Sequence, residues 1–422
     1  MAETLPDAHP NSSSSNLANY HERPWLFAFL IAPMAVLSNG LISGALTYLM
    51  RQQGVGMARG AGILSLLTLP QTIYFLWSPL TDFWVRRRTW LMMGATASAV
   101  ALVVAFQIGR LDSPAAVATL FFSACCGQLI VSACGGMLGT LRSEESRRRA
   151  SSFYQAGSLA LGALGIFVIT MLAGKMHLRS LSLVIAALVA VPSLAALAAP
   201  EQKSVSKEPL GDTLARMGRE FRATFWRVEA IPYTLVMVFP MGSGAAIGLL
   251  PGLAADYHVS GQSVAWMNGF AGTALTALGA LAATLIPVRV RASVGYLSIC
   301  LVNELTLAVL WLCPLTPLTY FVGATLYLFT VGACYAMFTA VVLEFLGHSG
   351  KSGSSRYSII NSLGNVPVAY MVAVDGLGYA RWGPRGMPAA DAVVGFVGGS
   401  ALLYWFLMHQ KTAAQEAAVM AG

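Results

Sequence analysis

The chain has 422 residues, 56% of them hydrophobic and only 10% charged, with 26 Lys and Arg against 18 Asp and Glu and a mean hydropathy of +0.65. A soluble chain carries about 25% charged residues, so the composition excludes a soluble enzyme. The net charge of +8 falls in alternate loops, the pattern of membrane topology rather than of nucleic-acid binding. Apolar runs of ~20 residues recur, each long enough to cross ~30 Å of hydrocarbon. The alternating ten-residue segments of a barrel are missing. The expectation is an all-α polytopic membrane protein.

Residues 1–24 are polar and rich in Ser and Asn, and read as a disordered N-terminal tail. They lack the basic lead and short apolar core of a signal peptide. Twelve spans follow, at 25–49, 60–80, 89–109, 114–139, 150–173, 179–199, 230–254, 262–286, 293–313, 317–345, 356–379 and 388–409. With the N-terminus inside, the inner loops hold Arg86–Arg88, Arg142, Arg147–Arg149, the basic residues of 203–227, Arg289, Arg291, Lys351 and Arg356. The outer loops hold Arg51, Arg59, Arg110, Lys175, Arg179, Arg381 and Arg385. This bias places both termini in the cytoplasm, and the membrane is expected to be a bacterial inner membrane.

The polar stretch 200–229 divides the spans into an N-terminal six-helix bundle at 25–199 and a C-terminal one at 230–409, with a tail at 410–422. Leu214, Met217, Phe221 and Phe225 recur at helical spacing among arginines, which fits an amphipathic helix on the inner surface or a solvated connector. Ser151-Ser152-Phe153-Tyr154 opens span five, and Ser354-Ser355-Arg356-Tyr357 opens span eleven. Each follows a short basic loop, as a faint internal repeat would.

Between spans two and three the chain reads Phe75-Leu76-Trp77-Ser78-Pro79-Leu80-Thr81-Asp82, then Arg86-Arg87-Arg88-Thr89-Trp90-Leu91. A small-x-x-x-Asp turn followed by arginines after the second span resembles the major facilitator superfamily. The Trp-Ser-Pro-Leu-x-Asp wording is similar to its peptide–acetyl-coenzyme A transporter branch, the AmpG-like muropeptide permeases. A second similar patch runs from Tyr357 to Pro367. The resemblance implies two pseudo-symmetric six-helix bundles and a secondary transporter working by alternating access. It also implies that Asp82, Arg86, Arg87 and Arg88 form a gating latch, with Asp82 near the positive N-terminal end of span eleven. A topogenic charge cluster alone is the other reading. The resemblance is partial: where AmpG-like members carry acids and a Lys in span four, this chain has Gly127-Gln128-Leu129-Ile130-Val131-Ser132-Ala133-Cys134-Gly135-Gly136.

Glu304 sits mid-span in Leu301-Val302-Asn303-Glu304-Leu305-Thr306. A carboxylate at the bilayer centre costs ~2.5–3.5 kcal/mol or more, so it must face protein or water. It is the candidate for proton coupling; pairing with Asn303 or a neighbouring helix is the structural alternative. Asn39, Gln71, Tyr74, Gln128, Tyr154, Gln155, Trp266, Asn268, Tyr335, Asn361 and Asn365 are candidates to line a substrate cavity. Amides and aromatic rings suit a sugar, a peptide or a planar ring, and any one of them also suits a helix–helix hydrogen bond. Asp256 and Asp375, near the outer ends of their spans, are expected to be solvated.

The six cysteines lie in or beside apolar runs without metal-ligand spacing and read as small buried hydrophobes. With no phosphate loop or nucleophile motif, the chain is expected to be neither an enzyme nor an ATP-driven pump, and to need no cofactor. The expected partners are a small-molecule substrate, protons as coupling ion and membrane lipid, with the protein a monomer. A muropeptide is the leading substrate; a siderophore or a coenzyme A thioester is the alternative, and a transporter-like sensor a more distant one.

Overall fold

The computed structural model describes residues 23–77, 79–139, 141, 144–199, 209–227, 230–287, 289–347, 360 and 362–421. Among the described residues all regular structure is helical. Eight stretches are long and apolar enough to cross a membrane. One of them, Ser362–Met408, holds both Val366–Trp382 and Gly386–Ala421, which are spans eleven and twelve. Span one is bent by 43° between Leu26–Ile42 and Leu46–Gln52. The two other expected spans are broken. Span two runs as Met57–Thr72, Tyr74–Trp77 and Pro79–Asp82. Span seven runs as Ile231–Val238, Ala245–Gly248 and Leu250–Leu253. Ser354–Tyr357, one side of the internal repeat, lies outside the described residues.

Breaks free backbone groups, and in lipid each must find a partner inside the protein. After the break at Ile73, the Trp77 indole N–H donates to the Pro70 carbonyl at 3.3 Å. In span seven the chain turns at Gly242 (φ 58°) and Gly244 (φ 74°), a left-handed backbone that favours glycine. There Tyr370 donates to the Val238 carbonyl at 2.7 Å and Tyr296 to the Met241 carbonyl at 3.3 Å. Two wide π-helical stretches, Ala35–Ile42 in span one and Met267–Ala271 in span eight, both pack against span five.

Helix pairing repeats between the halves. Spans three and four, three and six, and one and five pack together in the first half; nine and ten, nine and twelve, and seven and eleven do so in the second. Each pair maps onto its counterpart when six is added to both numbers. Across the halves, span two packs on eleven and span five on eight, and these contacts also exchange under the same operation.

The buried core is shared unevenly. One apolar cluster joins both halves at the end where spans one and seven finish, from Leu46, Leu49 and Met57 to Leu250, Leu253 and Tyr257. Towards the opposite end, which carries Arg86–Arg88, the clusters separate. One is built only from residues 26–199, and two only from residues 225–406. The halves are therefore closed against each other at one end and independently packed at the other.

Close helix approach depends on missing side chains. The Gly40 and Gly165 backbones meet so tightly that a Cβ on either would lie 3.2 Å from the other's Cα. Spans eight and ten cross where a Cβ on Gly279 would overlap the Phe329 carbonyl and one on Gly332 the Thr276 carbonyl. Backbone atoms cannot rotate away, and overpacking of this kind costs about 1–3 kcal/mol or more. Gly332→Val should lower the thermal unfolding temperature in detergent markedly or abolish monodisperse protein. Gly62→Ala, which meets nothing within 4 Å, should leave it unchanged.

Candidate functional site

At the closed end, side chains from both halves clasp. Arg51 at the end of span one pairs with Asp256 at the end of span seven, Nη2 to Oδ1 at 2.9 Å. Tyr379 of span eleven donates to the other carboxylate oxygen of Asp256 at 3.1 Å. One turn deeper, Thr47 donates to the Gly248 carbonyl at 2.8 Å, and Ser65 of span two donates to the Ala369 carbonyl of span eleven at 2.6 Å. Asp256, expected to be solvated, is instead mostly buried and triply engaged with Arg51 and Tyr379, because the two span ends converge. Beside this clasp, Arg59 and Arg110 both pair with Asp112, at 3.1 and 3.0 Å. The Arg110 hydrogen bond holds the Asp112 carboxyl below the usual carboxylate range. Its contribution is therefore present above that range and lost only as pH falls through the lowered value.

Away from the closed end, a cavity of about 210 Å³ opens within the second half. Its wall is the break of span seven (Met237, Met241, Gly242, Ser243), with Tyr296, Tyr335, Phe338 and Thr339 from spans nine and ten. Gly364, Asn365, Pro367 and Val368 close it from span eleven. None of these side chains is charged. Their donors, acceptors and aromatic faces suit a neutral, ring-bearing ligand.

The sequence-derived cavity candidates occupy several places. Tyr335 and Asn365 line the cavity. Asn39 donates to the Ser158 hydroxyl of span five at 3.3 Å, and Gln71 to the Ser38 hydroxyl of span one at 3.2 Å. Asn268 donates to the Tyr320 hydroxyl at 2.9 Å. Trp266 is half exposed and packs edge-on against Phe167 of span five, with ring centroids 5.0 Å apart. Gln128 is buried, and its amide nitrogen has no hydrogen-bond partner. Tyr74 and Tyr154 are half-buried and Gln155 is exposed. Asn361 lies outside the described residues.

The proposed latch residues sit at the opposite end from the clasp. Asp82 ends the turn Pro79–Asp82, and its side chain is outside the described residues. Arg87 donates to the Gly136 carbonyl at 2.6 Å, binding the start of span three to the end of span four. Only glycine admits it there, since a Cβ at Gly136 would lie 2.5 Å from the Arg87 Nε. Arg86 and Arg88 are half-buried.

Glu304 is buried, and its Oε1 accepts the Gly242 N–H of span seven at 3.0 Å. Asn303 does not pair with it but donates to the Thr330 hydroxyl at 2.7 Å. Glu304 thus contacts the back of the wall whose front is the cavity. Asp375, expected to be solvated, is completely buried. It falls in mid-helix because Val366–Trp382 extends beyond it on both sides. Asp391 is also buried. Reading span by span missed it, although an acid three residues after Pro388 in an otherwise apolar run is a sequence signal for it.

Against known proteins, the profile of the Major Facilitator Superfamily matches residues 28–369. The fold is similar to the nucleoside transporter NupG, with a TM-score of 0.69 and 14% identity over 91% of this chain and 98% of that one. It is similar to a D-xylose-proton symporter (TM-score 0.66, 12% identity, 90% and 96% covered). It is also similar to a POT family transporter in complex with 5-aminolevulinic acid (0.70, 11%, 90% and 95%). No curated protein matches significantly in sequence.

The clasp makes a direct prediction. In a variant without native cysteines, Thr47→Cys should react slowly with a membrane-impermeant thiol reagent, because Thr47 is 1% exposed. Adding Asp256→Asn should raise that rate about fivefold, the population change that ~1 kcal/mol produces. An unchanged rate would mean that the pair does not hold this end shut.

Proposed function

The chain belongs to the major facilitator superfamily, and on that premise we propose that it is a proton-linked secondary carrier importing a medium-sized, uncharged, ring-bearing solute by alternating access. It resides in a bacterial inner membrane as a monomer with both termini in the cytoplasm. The observation that carries this reading is the uneven sharing of the core. The halves have a common apolar cluster at one end and separate clusters at the other, the asymmetry that two rocking bundles require. By the distribution of basic loops, the closed end is the outer one, so the arrangement faces inward.

The cavity supports the solute class. Its aromatic rings, hydroxyls and amide favour stacking and hydrogen bonding over charge pairing. A coenzyme A thioester, with several phosphates, would demand cations that this lining lacks. Among uncharged ring-bearing solutes, the Trp77–Asp82 wording points to a muropeptide. Asn39, Gln71 and Asn268, now tied to neighbouring spans, supply polar contacts as the cavity opens. Proton linkage is within the reach of this architecture, since a D-xylose-proton symporter shares it. Glu304 is the coupling acid, and Asp82 with Arg86, Arg87 and Arg88 is the inner latch, the counterpart of the Arg51–Asp256 clasp.

Uptake into sealed proteoliposomes tests the reading. Labelled anhydro-muropeptide should accumulate when an inward proton gradient is imposed, and a ferric siderophore should not. Accumulation of neither would end the substrate assignment. Asp82→Asn should lower uptake by about 5- to 150-fold, the usual span of a conformational coupling energy, with membrane insertion intact. Glu304→Gln should flatten the pH dependence of uptake; a wild-type profile would make Glu304 a packing residue.

A further inference from the structure

Glu304 is one of three acids buried in the second half. Glu304 on span nine, Asp375 on span eleven and Asp391 on span twelve are 2%, 0% and 2% exposed. They are close enough to act on one another: Asp391 exerts its charge on both Glu304 and Asp375, and Glu304 acts on Asp375. Glycines bring them together. A Cβ on Gly395, one turn after Asp391, would lie 2.6 Å from the Glu304 Oε1. A Cβ on Gly378, three residues after Asp375, would lie 2.6 Å from Ala390.

Two of the three acids keep unpartnered oxygens. Glu304 Oε2 and both carboxyl oxygens of Asp375 are buried without a hydrogen bond. Among the described residues no cation faces them. Span ten presents Tyr327 and Cys334, and Cys300 lies one turn away on span nine. Span two meets Gly376 with Ala58 and Ala61, and its Arg59 is held by Asp112. Arg51 is held by Asp256, and Arg385 donates to the Cys313 carbonyl.

One buried carboxylate in a membrane costs several kcal/mol, and a second anion beside it adds repulsion. Such a group persists only with protons on it or with a cation in it. Among the described residues no acids, cysteines or histidines converge closely enough for a metal ion. We propose that Glu304, Asp375 and Asp391 share one proton-binding site, joined to the cavity wall through the Glu304–Gly242 hydrogen bond. The assignment rests on the proton-linked reading above and extends it from one residue to three. The Gly242 N–H is donated to Glu304 while Gly242 itself lines the cavity at the break of span seven. Loss of a proton from the trio strengthens that hydrogen bond, because bonds to charged acceptors are the stronger ones. Proton occupancy and the position of the span-seven break thereby bias one another.

The test needs no substrate. The purified protein in lipid nanodiscs is titrated while the carbonyl-stretch infrared band of protonated carboxylic acids is followed. The wild type should show buried acid bands, and Asp391→Asn should remove part of them. It should also make the remaining acids release their protons about one pH unit lower, since sites that share a proton titrate together. Asp375→Asn should do the same and serves if Asp391→Asn is not monodisperse. Losses that simply add, with no change in the remaining midpoint, would overturn the shared site, as would the absence of any band removed by these variants. For the link to the cavity wall, amide exchange over residues 239–244 should quicken about tenfold in Glu304→Ala but not in Glu304→Gln, which keeps an acceptor. Equal exchange in both would break the link. Proteoliposomes lacking gradient-driven uptake would end the proton-linked reading while the infrared result stood. Independent titration would end this proposal while uptake stood.

Discussion

Lipid tails are as apolar as leucine side chains, so greasy faces give membrane helices no reason to associate with each other rather than with lipid. Everything specific in this fold has to come from close backbone approach and from polar groups that lipid cannot satisfy. Both are concentrated at a few places. Gly40 against Gly165, and Gly279 and Gly332 at the crossing of spans eight and ten, let helices touch through their backbones. Tyr296, Tyr370 and Glu304 occupy the backbone groups that the break of span seven sets free. The same economy explains the arginines at the closed end: Arg51, Arg59 and Arg110 each have a carboxylate within 3.1 Å. These residues count against the charge bias of the loops, yet they act locally as joints.

Those joints divide the work between the ends of the molecule. The clasp of Arg51, Asp256 and Tyr379 joins spans one, seven and eleven, one from the first half and two from the second. Its strength must be modest, because a carrier that could not open there would be trapped. A half-buried ion pair and a few hydrogen bonds are of that order. The pair is backed by the shared apolar cluster, which must also part when the halves rock. The cavity adjoins the break of span seven, the element that reaches both the clasp and Glu304.

The sequence reading succeeded where the signal is local. Hydropathy located the spans, and the position of Glu304 inside an apolar run required burial whatever the fold. It failed where the answer depends on which segments meet. Asp256 reads as wet because it lies near a span end; its partner Arg51 is 205 residues away in the chain. Asp375 reads as wet because the span was placed too early, whereas the helix runs from Val366 to Trp382 and puts the acid in its middle. Trp266 carries the chemistry of a cavity residue but packs against Phe167 and Phe270. Amides such as Gln71 and Asn268 have the same composition signal whether they bind a solute or a neighbouring helix, and only their partners separate the two.

The two π-helical stretches, Ala35–Ile42 and Met267–Ala271, add a property that concerns phase rather than contact. A π turn holds one more residue than an α turn over nearly the same rise. Each stretch therefore sets the angular position of all that follows it in its span, including Thr47 and Arg51 beyond the first. Removing one residue there would scarcely shorten the helix. It would turn the remainder of the span by about 100°, one residue's share of an α turn, and carry the clasp arginine away from its acid. These helices tolerate substitution far better than they tolerate a change of length, and span five, which packs against both π stretches, is the reference against which that phase is kept.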